Sequence, residues 1–197
     1  ERVAGESATG TALQAKDLWR HSFRIWRSAQ TGLVLKWQTL ARPEGPVLEE
    51  VAYSDMMVGS ASGLTEAQIR DWMAIPAGYD VVNVTTQGVD TAQRRWLAPQ
   101  SVPGFHPISA MVAHAPTDGA PGAARQGTPL TQWVFSDGLS SASLFITKKQ
   151  GGNGTGAAIR MGATSSVAKQ VGAYWITAVG EVPVATLHAL IDGVGLP

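Results

Sequence analysis

The chain contains no cysteine among its 197 residues. This absence excludes disulfides, thiolate metal ligands and cysteine nucleophiles. An excess of charge of one sign is also lacking, because 15 basic residues balance 15 acidic ones. A neutral chain has no overall field that attracts nucleic acid or an anionic membrane, so we expect no nucleic-acid partner.

Long apolar runs are missing as well. No run approaches the ~20 residues that a membrane-spanning helix requires. The first residues also lack the basic and then apolar regions of a signal peptide, so we expect a soluble chain whose signal peptide is absent or already removed. With 44% hydrophobic and 15% charged residues, the composition predicts a globular protein of one large domain or two small ones.

Alternating apolar residues in the first half predict an antiparallel meander of long strands. In residues 18–28, Trp19, Phe23 and Ile25 fall on one face and polar side chains on the other, as in a half-buried strand. His21 falls on the same face as Trp19, where we expect a hydrogen-bonded structural histidine. Further strands are predicted over residues 33–40 and 47–56, separated by turn residues.

A helix is predicted over the stretch LTEAQIRDWMAI, which follows the meander. Thr65 is a candidate N-cap, and Gln68 stands three residues later, as in a capping box. Small, turn-prone residues on both sides of this helix indicate a boundary between two units.

The second half combines strand patterns with one terminal helix. The stretch QWVFSDGLSSASLFITKK predicts a hairpin with Asp137 and Gly138 at its tip. Prolines and small residues predict a mobile loop over residues 116–127. The final stretch VPVATLHALIDGVG predicts a helix that begins at Pro183 and stops at Gly193.

The motif search identifies no catalytic, metal or cofactor site. The string GGNGTG resembles a dinucleotide loop, but extended residues follow it in place of a helix, so a hairpin connection is predicted and no cofactor is expected. The four histidines have no i, i+4 pair that would suggest a metal site. No G-x-S-x-G elbow occurs, although a Ser-His-Asp triad dispersed along the chain stays open.

Several stretches resemble one known family in the same order along nearly the whole chain. The segment FRIWRSAQTGLVLKWQTLARPEGPVLEEVAYSDM resembles the strand–turn–strand signature of the RseB/MucB family, periplasmic regulators of the envelope-stress sigma factor. WLAPQSVPGF, QWVFSDGLSSASLFI and YWITAVGEVPVAT are similar to later signatures of the same family.

The resemblance implies an α+β fold in two domains. Residues 1–75 would be the C-terminal part of a LolA-like half-barrel, a domain related to lipoprotein carriers. Residues 76–92 would form a linker. Residues 93–197 would form a small antiparallel sheet domain that ends in a C-terminal helix.

The resemblance also implies a non-enzymatic function in the periplasm. The chain would bind the periplasmic segment of an inner-membrane anti-sigma factor and protect it from a membrane-anchored protease. It would thereby repress the sigma-E response until a lipid, lipopolysaccharide or lipoprotein signal releases the partner. A second copy of the chain is a further candidate partner, in a homo-oligomer. The candidate partner surface is the hairpin with the aromatic residues beneath it: Trp133, Phe135, Asp137, Gly138, Leu139, Phe145 and Trp175.

Two alternatives stay open. The first is a lipid or lipoprotein carrier in which the apolar face of the first sheet holds acyl chains through Trp19, Phe23, Leu35 and Trp37. The second is a hydrolase with the dispersed triad, which predicts that a serine-reactive probe labels one residue.

Overall fold

The computed structural model describes residues 1–79, 87–88, 102–114, 129–149 and 156–195. Within these ranges the chain forms two antiparallel sheets and two α-helices. The predicted α+β class with antiparallel sheets is therefore confirmed. The predicted linker over residues 76–92, the predicted loop over residues 116–127 and the GGNGTG connection lie mostly or wholly outside the described residues.

The first sheet is a meander in which each described strand pairs with the next along the chain. Its strands are Arg2–Val3 (β1), Glu6–Leu13 (β2), Ser22–Ser28 (β3), Val34–Leu40 (β4) and Val47–Ala52 (β5). The 3-10 turn Gly59–Ser62 and the helix Glu66–Met73 (α1) follow it.

The second sheet has the order β10-β11-β12-β9-β8-β7-β6 among the described strands. They are Gln87–Gly88 (β6), His106–His114 (β7), Pro129–Ser136 (β8), Ser141–Lys148 (β9), Gly156–Met161 (β10), Thr164–Val171 (β11) and Tyr174–Gly180 (β12). The helix Val184–Asp192 (α2) ends the unit and packs against β9, β11 and β12.

The strand predicted over residues 18–28 is wrong at its start, because β3 begins at Ser22. Residues 16–20 bend out of the first sheet, and Trp19 packs against the core of the second unit. Tertiary contact thus overrides the local period of two. The strand expected over residues 47–56 is also shorter and ends at Ala52.

The capping box of α1 is confirmed. Thr65 Oγ1 accepts a hydrogen bond from the amide of Gln68, and the side chain of Gln68 accepts one from the amide of Thr65. The C-terminal helix is confirmed too, although Pro183 is its N-cap and not its first helical residue. Gly193 is the C-cap as expected, with a right-handed conformation.

The larger hydrophobic core lies between α2 and one face of the second sheet. Leu187, Leu190 and Ile191 of α2 are fully buried against strand residues such as Leu144 and Ile176. Each such side chain stabilises the fold by about 1.5–3 kcal/mol relative to an exposed position. A smaller core of Val3, Ala8 and Leu35 belongs to the first sheet.

Candidate functional site

The hairpin between β8 and β9 ends in a four-residue connection, residues 137–140, which is longer than the two-residue tip expected from the sequence. Asp137 Oδ1 accepts hydrogen bonds from the amides of Leu139 at 3.0 Å and Ser140 at 2.8 Å. Ser136 Oγ accepts from the amide of Gly138 at 3.0 Å and donates to the carbonyl of Ser140 at 2.9 Å. The turn is therefore fixed by its own polar side chains.

The second carboxylate oxygen of Asp137 binds an arginine of the first unit. Arg20 Nε donates to Asp137 Oδ2 at 2.6 Å. The same guanidinium donates to Asp17 at 2.5 Å and to the carbonyl of Pro103 at 2.6 Å. Its central carbon lies 5.2 Å from the centroid of the Phe105 ring, within cation–π range.

The surroundings of Asp137 favour its charged form. Burial opposes the charge, but hydrogen bonds from the amides of Ser140 and Leu139 and from Arg20 outweigh it. Together they hold the pKa of the Asp137 carboxyl below its usual value. Asp137 is thus a charged anchor between the two units.

Residues 17–21, which we call the junction segment, make further contacts with the second unit. The Trp19 side chain packs on the larger core, and its carbonyl accepts a hydrogen bond from Thr186 Oγ1 of α2 at 2.7 Å. His21 is buried, with backbone groups of Ala41 and Val182 near its ring. Neither ring nitrogen of His21 makes a hydrogen bond of standard geometry among the described residues, although the backbone groups of Ala41 and Val182 act on the ring electrostatically. The expected hydrogen-bonded role of His21 therefore stays a prediction.

The predicted partner residues lie on opposite faces of the second sheet. Trp133 and Phe135 are core residues, 2% and 0% exposed. Phe145 and Trp175 are half-buried and lie on the other face, as the alternation along β9 and β12 requires. Because α2 packs on the core side, the structure does not bring these two pairs together on one surface.

We call the outward positions of β8, β9, β11 and β12 the open face. The register joins Gln132 to Phe145, Phe145 to Thr177, and Thr147 to Trp175 across neighbouring strands. None of the outward side chains of these four strands is Asp, Glu, Lys or Arg. A shallow hollow that Leu139, Ser143 and Val179 help to line continues this face towards the hairpin turn.

The residues predicted to face lipid are also divided by the structure. Phe23 and Trp37 contact each other with ring centroids 4.8 Å apart. Phe23 and Leu35 are buried, 5% and 1% exposed, whereas Trp19 packs against the core of the second unit. Contact of these four residues with lipid stays a prediction.

The junction segment is the feature that the sequence analysis missed. Arg20 and Asp137 are separated by 117 positions, and no local motif marks either as half of a pair. The sequence does place the opposite charges of Asp17 and Arg20 three residues apart. In the structure they form an ion pair outside any helix or strand.

The described part of the chain has no helix that is both long and apolar enough to span a membrane.

Family models for the MucB/RseB N-terminal domain and the MucB/RseB C-terminal domain match residues 1–76 and 90–195, respectively. Sigma factor AlgU regulatory protein MucB of Pseudomonas aeruginosa is 28% identical over 190 residues, which cover 94% of this chain and 55% of that protein. The chain thus spans about half the length of this curated relative.

Two solved structures share the fold over 100% of this chain at 26% sequence identity. The crystal structure of MucB in complex with MucA(peri) has a TM-score of 0.75, with 64% of that chain covered. The complex structure of Pseudomonas aeruginosa MucA/MucB has a TM-score of 0.72, with 62% covered. Because the two family models together match nearly the whole sequence, the chain belongs to the MucB/RseB family.

Proposed function

We propose that this chain is a periplasmic, non-enzymatic regulator that binds the periplasmic segment of an inner-membrane anti-sigma factor. The observation that carries the proposal is the likeness to MucB in complex with MucA(peri), which extends over 100% of this chain with a TM-score of 0.75. Binding would protect the anti-sigma factor from regulated proteolysis and so repress an envelope-stress sigma factor of the sigma-E type.

The open face is the proposed docking surface for the anti-sigma segment. Phe145 and Trp175 are half-exposed there, and aromatic side chains on an uncharged surface are typical anchors of protein interfaces. Leu139, 55% exposed, extends the apolar surface to the hairpin turn. Trp133 and Phe135 contribute as the packed layer beneath the strands, because they are too buried to touch a partner.

Calorimetric titration with the purified periplasmic segment of the cognate anti-sigma factor tests this proposal. We expect stoichiometric binding by the unmodified chain and at least ~30-fold weaker binding by the double variant Phe145→Ser/Trp175→Ser, since loss of interface anchors typically costs 2 kcal/mol or more. Tyr53→Ser is the matched control, because Tyr53 is an aromatic residue, 57% exposed, that follows β5 in the first unit and lies outside the open face. Absence of binding by the unmodified chain would refute the function, and unchanged binding by the double variant would refute the surface.

Protection is tested by incubating the anti-sigma segment with its protease. We expect the unmodified chain to slow cleavage, and the double variant to do so only at concentrations raised in proportion to its weaker binding. Addition of lipid, lipopolysaccharide or lipoprotein should restore cleavage if such a signal releases the partner. Cleavage at the same rate with and without saturating chain would contradict the protective role.

A lipid or lipoprotein carrier is the second candidate, and α1 gives a specific reason to keep it. Trp72 and Met73 are 72% and 79% exposed, and Ile69 lies with Met73 along a shallow groove on the helix. This exposed apolar surface is a better place for acyl chains than the buried Phe23 and Leu35. Native mass spectrometry that finds stoichiometric lipid, together with no affinity for the anti-sigma segment, would favour this reading.

A further inference from the structure

Consecutive residues of the junction segment contact the second unit in three different ways. Trp19 contributes apolar packing to the larger core and a backbone carbonyl to Thr186. Arg20 contributes the ion pair with Asp137 and the bond to Pro103. His21 is buried beside Val182. The two units are therefore joined by a segment that lies between strands of the first sheet.

The ion pair at the centre of this contact is substantially shielded from water. The side chains of Arg20 and Asp137 are 22% and 7% exposed. Removal of one partner from such a pair leaves the other charge poorly compensated, which costs more than the loss of a surface pair. Arg20 is moreover held by three acceptors at once, so its guanidinium has one preferred position.

The backbone of the second unit is shaped around the same arginine. Gly104 has φ +83°, and a Cβ at this position would lie 2.4 Å from Arg20 Nη2. The positive φ favours glycine, and a side chain at this position would displace the end of the guanidinium from its place. The absence of a side chain at Gly104 therefore leaves room for the guanidinium beside the second unit.

We propose that the junction segment is a latch through which the first unit controls the hairpin turn of the second. Asp137 has two oxygens with separate tasks: Oδ1 holds the turn amides, and Oδ2 holds Arg20. Any movement of the first unit that withdraws Arg20 removes one of the two anchors of the Asp137 carboxylate and loosens residues 137–140. The turn adjoins the open face through Leu139, so the latch links that face to the first unit.

Amide hydrogen exchange on the full chain tests the latch without any partner. In Arg20→Ala we expect exchange at the amides of Leu139 and Ser140 to accelerate roughly tenfold or more, because a hydrogen-bonded charge partner of their acceptor is lost. Arg24→Ala is the matched control, since Arg24 is an exposed arginine on β3, and should leave these amides at the unmodified rate. Equal rates in both variants and the unmodified chain would overturn the proposal.

A double-mutant cycle covers the case in which Arg20→Ala does not fold. Arg20→Lys keeps the charge but loses the planar fork, and Asp137→Asn keeps an oxygen that can accept from the turn amides. We expect the effects of these two substitutions on exchange at Leu139 and Ser140 to be non-additive, because each breaks the same contact. Additive effects would refute the latch. Since no measurement here involves the anti-sigma segment, the latch and the proposed function fail independently.

Discussion

At the scale of single residues, His21 is a buried titratable group with a shifted pKa. Burial lowers its pKa below the ordinary value of 6.5, and the positive charge of Arg160 on β10 lowers it further. Backbone groups of Ala41, after β4, and Val182, before α2, act in the opposite direction without reversing the shift. The folded protein therefore favours a neutral imidazole at the contact between the two units.

This shift predicts a loss of stability on acidification. Below about pH 6.5 the unfolded chain takes up a proton at His21 that the folded chain resists, so the free energy of unfolding falls as the pH decreases. Urea unfolding at pH 7.5, 6 and 5 should show this slope in the unmodified chain and a flatter one in His21→Gln. Ala185→Gln, at an exposed position of α2, is the control for the substitution itself and should keep the unmodified slope.

The carboxylate effect occurs in a separate, more acidic window. Because the pKa of Asp137 is lowered from 3.8, the stability that its charged form contributes is present above that value and is lost as the pH falls further.

The outcome that would contradict the His21 prediction is a His21→Gln chain that loses as much stability between pH 7.5 and pH 5 as the unmodified chain.

At the scale of elements, the β8–β9 hairpin combines a local turn with a distant anchor. Gly138 has φ +95°, a conformation that L side chains rarely adopt, and an added Cβ would meet no atom within 4 Å. Any penalty for a side chain there comes from the backbone alone. The turn therefore requires glycine for a reason that is independent of packing.

Substitution Gly138→Ala should destabilise the chain by about 1–2 kcal/mol through this backbone strain. Thermal or urea unfolding measures the change, with Ser141→Ala, an exposed neighbour on β9, as the control. Gly138→Asn should lie between glycine and alanine, since asparagine tolerates positive φ better. Equal stabilities of the glycine and alanine chains would show that the turn adapts to another conformation.

At the scale of the whole molecule, the junction segment makes the core of the second unit depend on the first. Trp19 belongs to the chain between β2 and β3, yet it packs with residues of the second sheet and α2. A unit whose core is completed by a side chain of another unit loses packing when the two units separate. We therefore expect the two units to unfold together.

Trp19→Ala should uncouple the two units. Because Trp19 is half-buried, we expect a loss of about 2 kcal/mol, below the 3–5 kcal/mol typical of a fully buried tryptophan. Calorimetry should resolve one transition for the unmodified chain and two for the variant. Trp72→Ala provides the control, since Trp72 is 72% exposed on α1 and should leave a single transition. Two transitions already present in the unmodified chain would contradict the claim that the core of the second unit depends on Trp19.

Elements that depend on local contacts could be predicted from the sequence alone. The capping box of Thr65 and Gln68, the turn at Asp137 and Gly138 and the terminal helix after Pro183 depend on contacts within a few residues, so their residue types predict them. The order of motifs also indicated the family that the models match.

Contacts between distant side chains depend on tertiary packing and could not be predicted from local patterns. Apolar residues occur on both faces of β8, β9 and β12, so alternation predicts strands but not that Trp133 belongs to the core while Trp175 lies on the opposite face. Arg20 finds Asp137 across 117 positions, and it does so because residues 16–20 leave the strand pattern that their spacing favoured. The physical reason is that packing and charge pairing between distant segments outweigh a local preference of at most ~1 kcal/mol.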